Sequence, residues 1–276
     1  MISCKEYVEI QKKELEEKVK GFKRKPKLVV VQVDHDKASD SYVRGKERDS
    51  AEIGIIFEHI EIDSGKYSHE DLVMKLIEIN ADENVDGIIV QLPIPDKYDV
   101  EELQKCISSD KDVDGFRVDS RFKSCTPLGV INWLKYNNYN FSGKVACVIG
   151  RSNILGKPLA DMLTDLDATV ILCHSKTPEE QLGELIIDSD IIFTCINKIE
   201  YFKHDIFCSW NDIIDIGLGI GKDNKLHGNI DAESVEKLKE KNHGCIIVSG
   251  KGNTGLTTRL ALMQNVVEAY EMHVCE

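Results

Sequence analysis

The feature that most constrains the fold is a repeated alternation of short β-branched runs with helical periodicity. LVVVQV (28–33), IIFEHIEI (55–62) and GIIVQLP (87–93) are separated by helical patterns at about 40–53 and 69–81, which is a βαβαβ order. Five further runs follow: KVACVIG (144–150), ATVILC (168–173), DIIFTCI (190–196), DIIDIGL (212–218) and CIIVS (245–249), with helical segments between most of them. Two such series predict an α/β chain of two domains, each built on a parallel sheet. Between the series lies SSDKDVDGFRVDSRFKSCTPLG, a polar stretch that offers Thr126 as a helix N-cap and Pro127 as the first helical residue, and the domain boundary belongs there. The first domain is expected over 1–124 and the second over 125–256. A last helix at about 258–272 suits either domain.

Composition narrows the partners. With 276 residues, 42% hydrophobic and 30% charged, the chain is long enough for two modest cores. A formal net charge of −13 repels nucleic acid and anionic membrane at long range. The expectation is therefore a small-molecule partner, with no nucleic acid and no membrane. No run approaches the roughly 18 apolar residues of a membrane span, and MISCKEYVEIQKKELEEKVK reads as a charged amphipathic helix without a signal-peptide core. That predicts a cytoplasmic protein. Nine cysteines, never closer than thirteen residues, form no C-x-x-C pair, so reduced thiols are expected, several of them small buried apolar groups in strands, and no metal site.

The segment VIGRSNILGKPLADML (148–163) follows the first strand of the second series. There a doubly wound sheet presents backbone N–H groups and a helix N-terminus to a pyrophosphate. Gly150 and Gly156 are six apart and do not spell G-x-G-x-x-G, so the loop alone leaves dinucleotide binding and a plain tight turn both open. The next strand ends in Cys173-His174-Ser175-Lys176, without the carboxylate that an NAD-selective site offers to the ribose. Arg151 follows Gly150 directly, and a guanidinium with hydroxyls suits a 2′-phosphate. NADP is thus preferred over NAD; the bland alternative makes Arg151 and Lys176 solvated surface charges.

The first domain carries a different set. In SDSYVRGKERDSAEIGI, Tyr42 and Lys46 are four apart and share one helix face. A lysine beside an aromatic ring in a partly dry site can serve proton transfer or water activation, although exposed pairs at this spacing are common. Gln91 stands at the C-terminal end of a strand, the ligand edge of a parallel sheet, and DVDG places Asp112 and Asp114 in a turn.

Taken in order, ASDSYVRGKERDSAEIGI, VDGIIVQLPIP, KDVDGF, CTPLG, VIGRSNILGKP, ATVILCHSKT and DIIDIGL resemble the methylenetetrahydrofolate dehydrogenase/cyclohydrolase family along nearly the whole chain. The resemblance implies an N-terminal catalytic domain completed by the returning C-terminal helix (257–276). It also implies a Rossmann-type NADP-binding domain, a folate cleft between the two, and a homodimer. It places the catalytic lysine on Lys46, the folate-stacking tyrosine on Tyr42, the glutamine beside the lysine on Gln91, and the pterin-binding aspartate on Asp114. Leu92 and Gly255 fall among the substrate contacts. The cofactor contacts fall on Gly150, Arg151, Ser152, His174, Ser175, Leu218 and Thr258. The implied activity is oxidation of 5,10-methylenetetrahydrofolate with NADP, then hydrolysis of the methenyl product to 10-formyltetrahydrofolate, in one-carbon metabolism.

Two departures from the family pattern stand out. Only RVDSRFKS separates KDVDGF from the CTP turn, shorter than usual. In SGKGNTGLTTRL, Lys251 and Leu256 occupy positions that are normally proline, and Asn253 one that is normally glycine. Lys251 is expected either to attract the folate glutamate tail or simply to face solvent. The departures keep two other readings open, an enzyme retaining one activity and a non-catalytic NADP- or folate-binding sensor. Intact Tyr42, Lys46, Gln91 and Asp114 argue against the sensor.

Overall fold

A computed structural model describes the chain except residues 36, 224, 242–243, 250–252 and 276; of 37, 38 and 275 it describes the backbone alone. The chain divides into two compact units, Glu6–Cys125 with Arg259–Glu276, and Thr126–Thr258 with Met1–Lys5.

The first unit contains most of α1 (Cys4–Lys20), then β1 (Lys27–Val33), α2 (Lys37–Ile53), β2 (Ile56–Ile62), α3 (His69–Ala81), β3 (Gly87–Gln91) and α4 (Val100–Lys105). Its sheet is parallel in the order β2-β1-β3, with Gln32 in register with Gln91. β1 is the central strand, and Leu28 to Val33 are all buried. This is why its sequence is a continuous apolar run rather than an alternating one. Each fully buried Val or Leu there contributes about 1.5–3 kcal/mol over an exposed one. α3 starts with a capping box in which Ser68 and Asp71 satisfy one another's backbone N–H groups.

The second unit contains most of α5 (Cys125–Tyr136), then β4 (Val145–Ile149), α6 (Gly156–Thr164), β5 (Thr169–Cys173), α7 (Glu179–Ile187) and β6 (Ile191–Thr194). After these come β7 (Asp212–Asp215), β8 (Leu218–Ile220), β9 (Leu226–Gly228), α8 (Ala232–Lys241), β10 (Ile247–Val248) and α9 (Thr254–Cys275), which continues into the first unit. The five-stranded sheet runs β10-β7-β6-β4-β5, with every pair parallel. This is a doubly wound order in which the connections reverse direction between β4 and β6, the point where such sheets open a crevice.

The structure departs from the sequence reading at four places. α5 begins at Cys125, so Thr126 lies inside the helix rather than capping it. α9 begins at Thr254, where the Leu256 N–H bonds the Asn253 carbonyl at 3.0 Å. The tract read as a loop before that helix is therefore partly its first turn, and Leu256, which departs from the proline of the family pattern, is helical. Residues 1–5, expected in the first domain, group with the second unit: the Ile2 N–H donates to Asn137 Oδ1 at 2.7 Å, and Trp133 Nε1–H donates to the Ile2 carbonyl at 3.1 Å. The antiparallel β8–β9 hairpin was not anticipated, because three-residue strands carry too little periodicity to read.

Among the described residues no helix is long and apolar enough to cross a membrane, and no three His, Cys, Asp or Glu side chains are placed to hold a metal ion. Cys4, Cys125, Cys147, Cys173 and Cys195 are buried free thiols.

Candidate active site

In the first unit, α2 sets Tyr42 and Lys46 one turn apart. Lys46 is only 8% exposed, and its Nζ donates to Gln91 Oε1 at 3.0 Å. Gln91 closes β3, and its Nε2 donates to the Leu92 carbonyl at 2.7 Å. Because a carbonyl can only accept, that second bond orients the amide with Oε1 toward the lysine. Tyr42 is half-buried; burial pushes its phenol up, with nearby Arg259 acting in the opposite direction.

One turn beyond Lys46, Asp49 is almost fully buried and pairs with both Lys12 and Arg259, the latter at 2.5 Å from Nε. Two cations around one buried carboxylate compensate its desolvation and pin α2 to α1 and α9. Asp114 is half-buried in the connection between α4 and α5, and its carbonyl accepts the Cys125 N–H at 3.4 Å. The neighbouring Asp112 is buried, which pushes its carboxyl up, while the Arg117 N–H donates to it at 2.9 Å. The Cys125 thiol is pushed well up, first by burial and then by the Asp114 charge, with Lys46 opposing. Lys46, Gln91, Asp114 and Cys125 thus form one polar group; Tyr42 joins it along α2 and Leu92 along β3.

In the second unit a cavity of about 680 Å3 lies at the switch point. Gly150, Arg151 and Ser152 line it after β4, His174 and Ser175 after β5, and Asn197 after β6. Gly150 has φ +132, and a Cβ there would overlap the Cys195 carbonyl; a Cβ on Gly156 would overlap the Gly150 carbonyl. The two glycines therefore let the β4–α6 loop fold tightly onto itself and onto the β6 strand end. Arg151 and Ser152 are exposed, and the residue capping α6, Leu155, makes no side-chain cap. The β5 end presents His174 and Ser175, held by a Thr177 Oγ1 that accepts the His174 N–H at 3.0 Å. This donor set, with a guanidinium and no carboxylate at that strand end, fits a phosphorylated dinucleotide.

The remaining expected residues lie apart from the cavity lining. Leu218 opens β8, Gly255 is in the first turn of α9, and Thr258 donates to the Thr254 carbonyl at 2.8 Å. Lys251 lies outside the described residues. Sequence reasoning missed Lys198 and Tyr201, which also line the cavity, with the ammonium 4.3 Å from the ring centroid. Their position just past the ligand edge of β6 was the available signal.

Residues 2–114 match the catalytic domain, and residues 124–274 the NAD(P)-binding domain, of tetrahydrofolate dehydrogenase/cyclohydrolase. The chain is 36% identical over 261 residues to the bifunctional protein FolD of Dechloromonas aromatica, covering 90% of this chain and 87% of that one. Among solved structures, the bifunctional FolD enzyme of Campylobacter jejuni aligns with a TM-score of 0.90 at 30% identity, covering 98% of each chain. The 5,10-methylenetetrahydrofolate dehydrogenase of the silkworm, Bombyx mori, aligns at 0.88 and 31%, covering 99% of this chain and 98% of that one. With its Lys46–Gln91 pair in one unit and its glycine-loop cavity in the other, this chain belongs to the tetrahydrofolate dehydrogenase/cyclohydrolase family.

Proposed function

We propose that the protein oxidises 5,10-methylenetetrahydrofolate with NADP and hydrolyses the resulting methenyl cation to 10-formyltetrahydrofolate. The observation that carries this reading is the bond from buried Lys46 Nζ to Gln91 Oε1. When bound, NADP+ supplies the hydride acceptor. Arg151, Ser152 and Ser175 would hold its 2′-phosphate side and His174 the adjoining ribose, with Gly150 allowing close backbone approach. Leu218 and Thr258 are assigned to the nicotinamide end.

The substrate's methenyl carbon is already electrophilic, so hydrolysis needs a positioned water and a destination for one proton. Water adds its oxygen to that carbon and releases the proton, and opening of the ring leaves the formyl group on N10. Lys46 is assigned to manage that proton, with Gln91 fixing the direction of its Nζ. Tyr42 offers a ring face for stacking, Asp114 accepts N–H groups of the pterin, and Leu92 and Gly255 complete the substrate contacts. Most of the catalytic gain then comes from holding reactants in place.

The purified chain, given methylenetetrahydrofolate with NADP+ or NAD+ and, separately, methenyltetrahydrofolate, should show NADP-preferring oxidation and hydrolysis. Loss of one activity would leave a single-function enzyme, and absence of both would remove the enzymatic reading. A cytoplasmic homodimer is the state implied by the family resemblance. Light scattering should then return twice the 31.1 kDa chain mass, and a monomer mass would reject it.

A further inference from the structure

We propose that Asn265, on α9, is a positioning residue for Asp114, holding the aspartate where the pterin is recognised; this rests on the substrate-binding role given to Asp114 above. Asn265 is 2% exposed. Its Nδ2 donates to the Val113 carbonyl at 2.8 Å and to the Lys123 carbonyl at 3.2 Å, with Cys125 Sγ at 3.5 Å. A side-chain amide nitrogen has two protons, and here two carbonyls, which can only accept, take them. That choice of partners also fixes which way the amide faces.

The two carbonyls bracket the Asp114 turn. Val113 immediately precedes Asp114. On the other side Gly115, at φ +69, lies so close to the 123–124 backbone that a Cβ would come within 2.6 Å of Lys123 C and Ser124 N. The Asp114 carbonyl itself accepts the Cys125 N–H. One side chain from α9 therefore ties the peptide before Asp114 to the segment packed against the peptide after it. Removing the amide strands two carbonyls and leaves the turn to relax, and a shift of a fraction of an ångström in a binding carboxylate is enough to weaken substrate placement. Asn265 needs no contact with substrate to do this.

The test is a kinetic cycle on the full chain. Asn265→Ala should raise KM for 5,10-methylenetetrahydrofolate about tenfold, keep kcat within about threefold, and leave the Kd for NADP+ unchanged. Asn265→Thr, close in volume and retaining one donor, should recover part of that loss and serves in the cycle if the alanine variant does not fold. In an Asp114→Ala background either Asn265 substitution should add less than about twofold to KM, because both residues act through one contact. Fully additive effects on KM, or a fall in kcat at unchanged KM, would overturn the proposal. An unchanged KM in Asp114→Ala alone would instead remove the role given to Asp114, a separate and distinguishable failure.

Discussion

At the scale of single residues, the assignment turns on groups whose partners are few and defined. Lys46 has its Nζ tied to Gln91 within a nearly closed environment. Lys46→Met removes the group assigned to carry the proton while keeping most of the apolar stem, so cyclohydrolase turnover should fall by about a hundredfold or more with the Kd for NADP+ unaltered. A variant that retains full hydrolysis would refute the role. Arg151 is assigned a different kind of contribution: its exposed guanidinium lies beside the glycine turn, where a charge-assisted bond to a 2′-phosphate would be worth more than a neutral bond to a plain ribose hydroxyl. Losing a charge-assisted bond of about 1.5–3 kcal/mol should raise KM for NADP+ by about ten- to a hundredfold in Arg151→Ala. KM for NAD+ should hardly change; parallel loss for both nucleotides would mean that Arg151 does not read the phosphate. Gly156 is constrained sterically, since any Cβ collides with the Gly150 carbonyl. Gly156→Ala should cost about 1–3 kcal/mol in thermal or urea unfolding by forcing the backbone apart, and it should weaken NADP+ binding as well.

At the scale of elements, the long strands were legible because burial on both faces writes an unbroken apolar run, as in Val29, Val30 and Val31 or Ala146, Cys147 and Val148. The ligand edge followed from those strands, and with it Gln91, Gly150 and His174. What stayed hidden depends on tertiary partners. The β8–β9 hairpin carries one contact to a residue distant in sequence and one within its own connection: His227 sits with Nδ1 2.9 Å from Glu200 Oε1 and Nε2 2.8 Å from Asp223 Oδ1. Carboxylates only accept, so both ring nitrogens carry protons here, and the bond to Asp223 first, then that to Glu200, raises the His227 pKa. A histidine whose folded pKa lies above its unfolded value stabilises the fold fully below the unfolded pKa, and that contribution is lost as pH rises through the folded one. The melting temperature of the wild type should therefore exceed that of His227→Gln in mildly acidic buffer, and the gap should close as pH rises above the ordinary histidine value near 6.5. A gap that widens with pH would contradict the latch.

At the scale of the whole molecule, the two compact units are not separable stretches of chain. α1, α5 and α9 each contribute residues to both: Cys4 and Lys5 precede Glu6, Cys125 precedes Thr126, and Thr254 to Thr258 precede Arg259. Helix formation is cooperative, so a unit that unfolds frays three helices whose remaining turns carry buried residues of the other, among them Tyr7, Val130 and Met263. The same continuity is why sequence periodicity placed the last helix but not its allegiance: its apolar positions Leu260, Leu262, Val266 and Val267 would bury equally well on any apolar layer. The choice is made by specific polar partners, among them Asn265 with Val113 and Lys123, Arg259 with Asp49, and His273 with Asp86 and Asp110. Urea unfolding followed by near-UV and far-UV signals should accordingly give one transition. NADP+ at about a hundred times its Kd should move the whole transition by about 2.7 kcal/mol, although its assigned contacts lie only in the second unit. If the nucleotide instead splits the curve, protecting residues 126–258 while 6–125 melt as before, the shared helices do not couple the units.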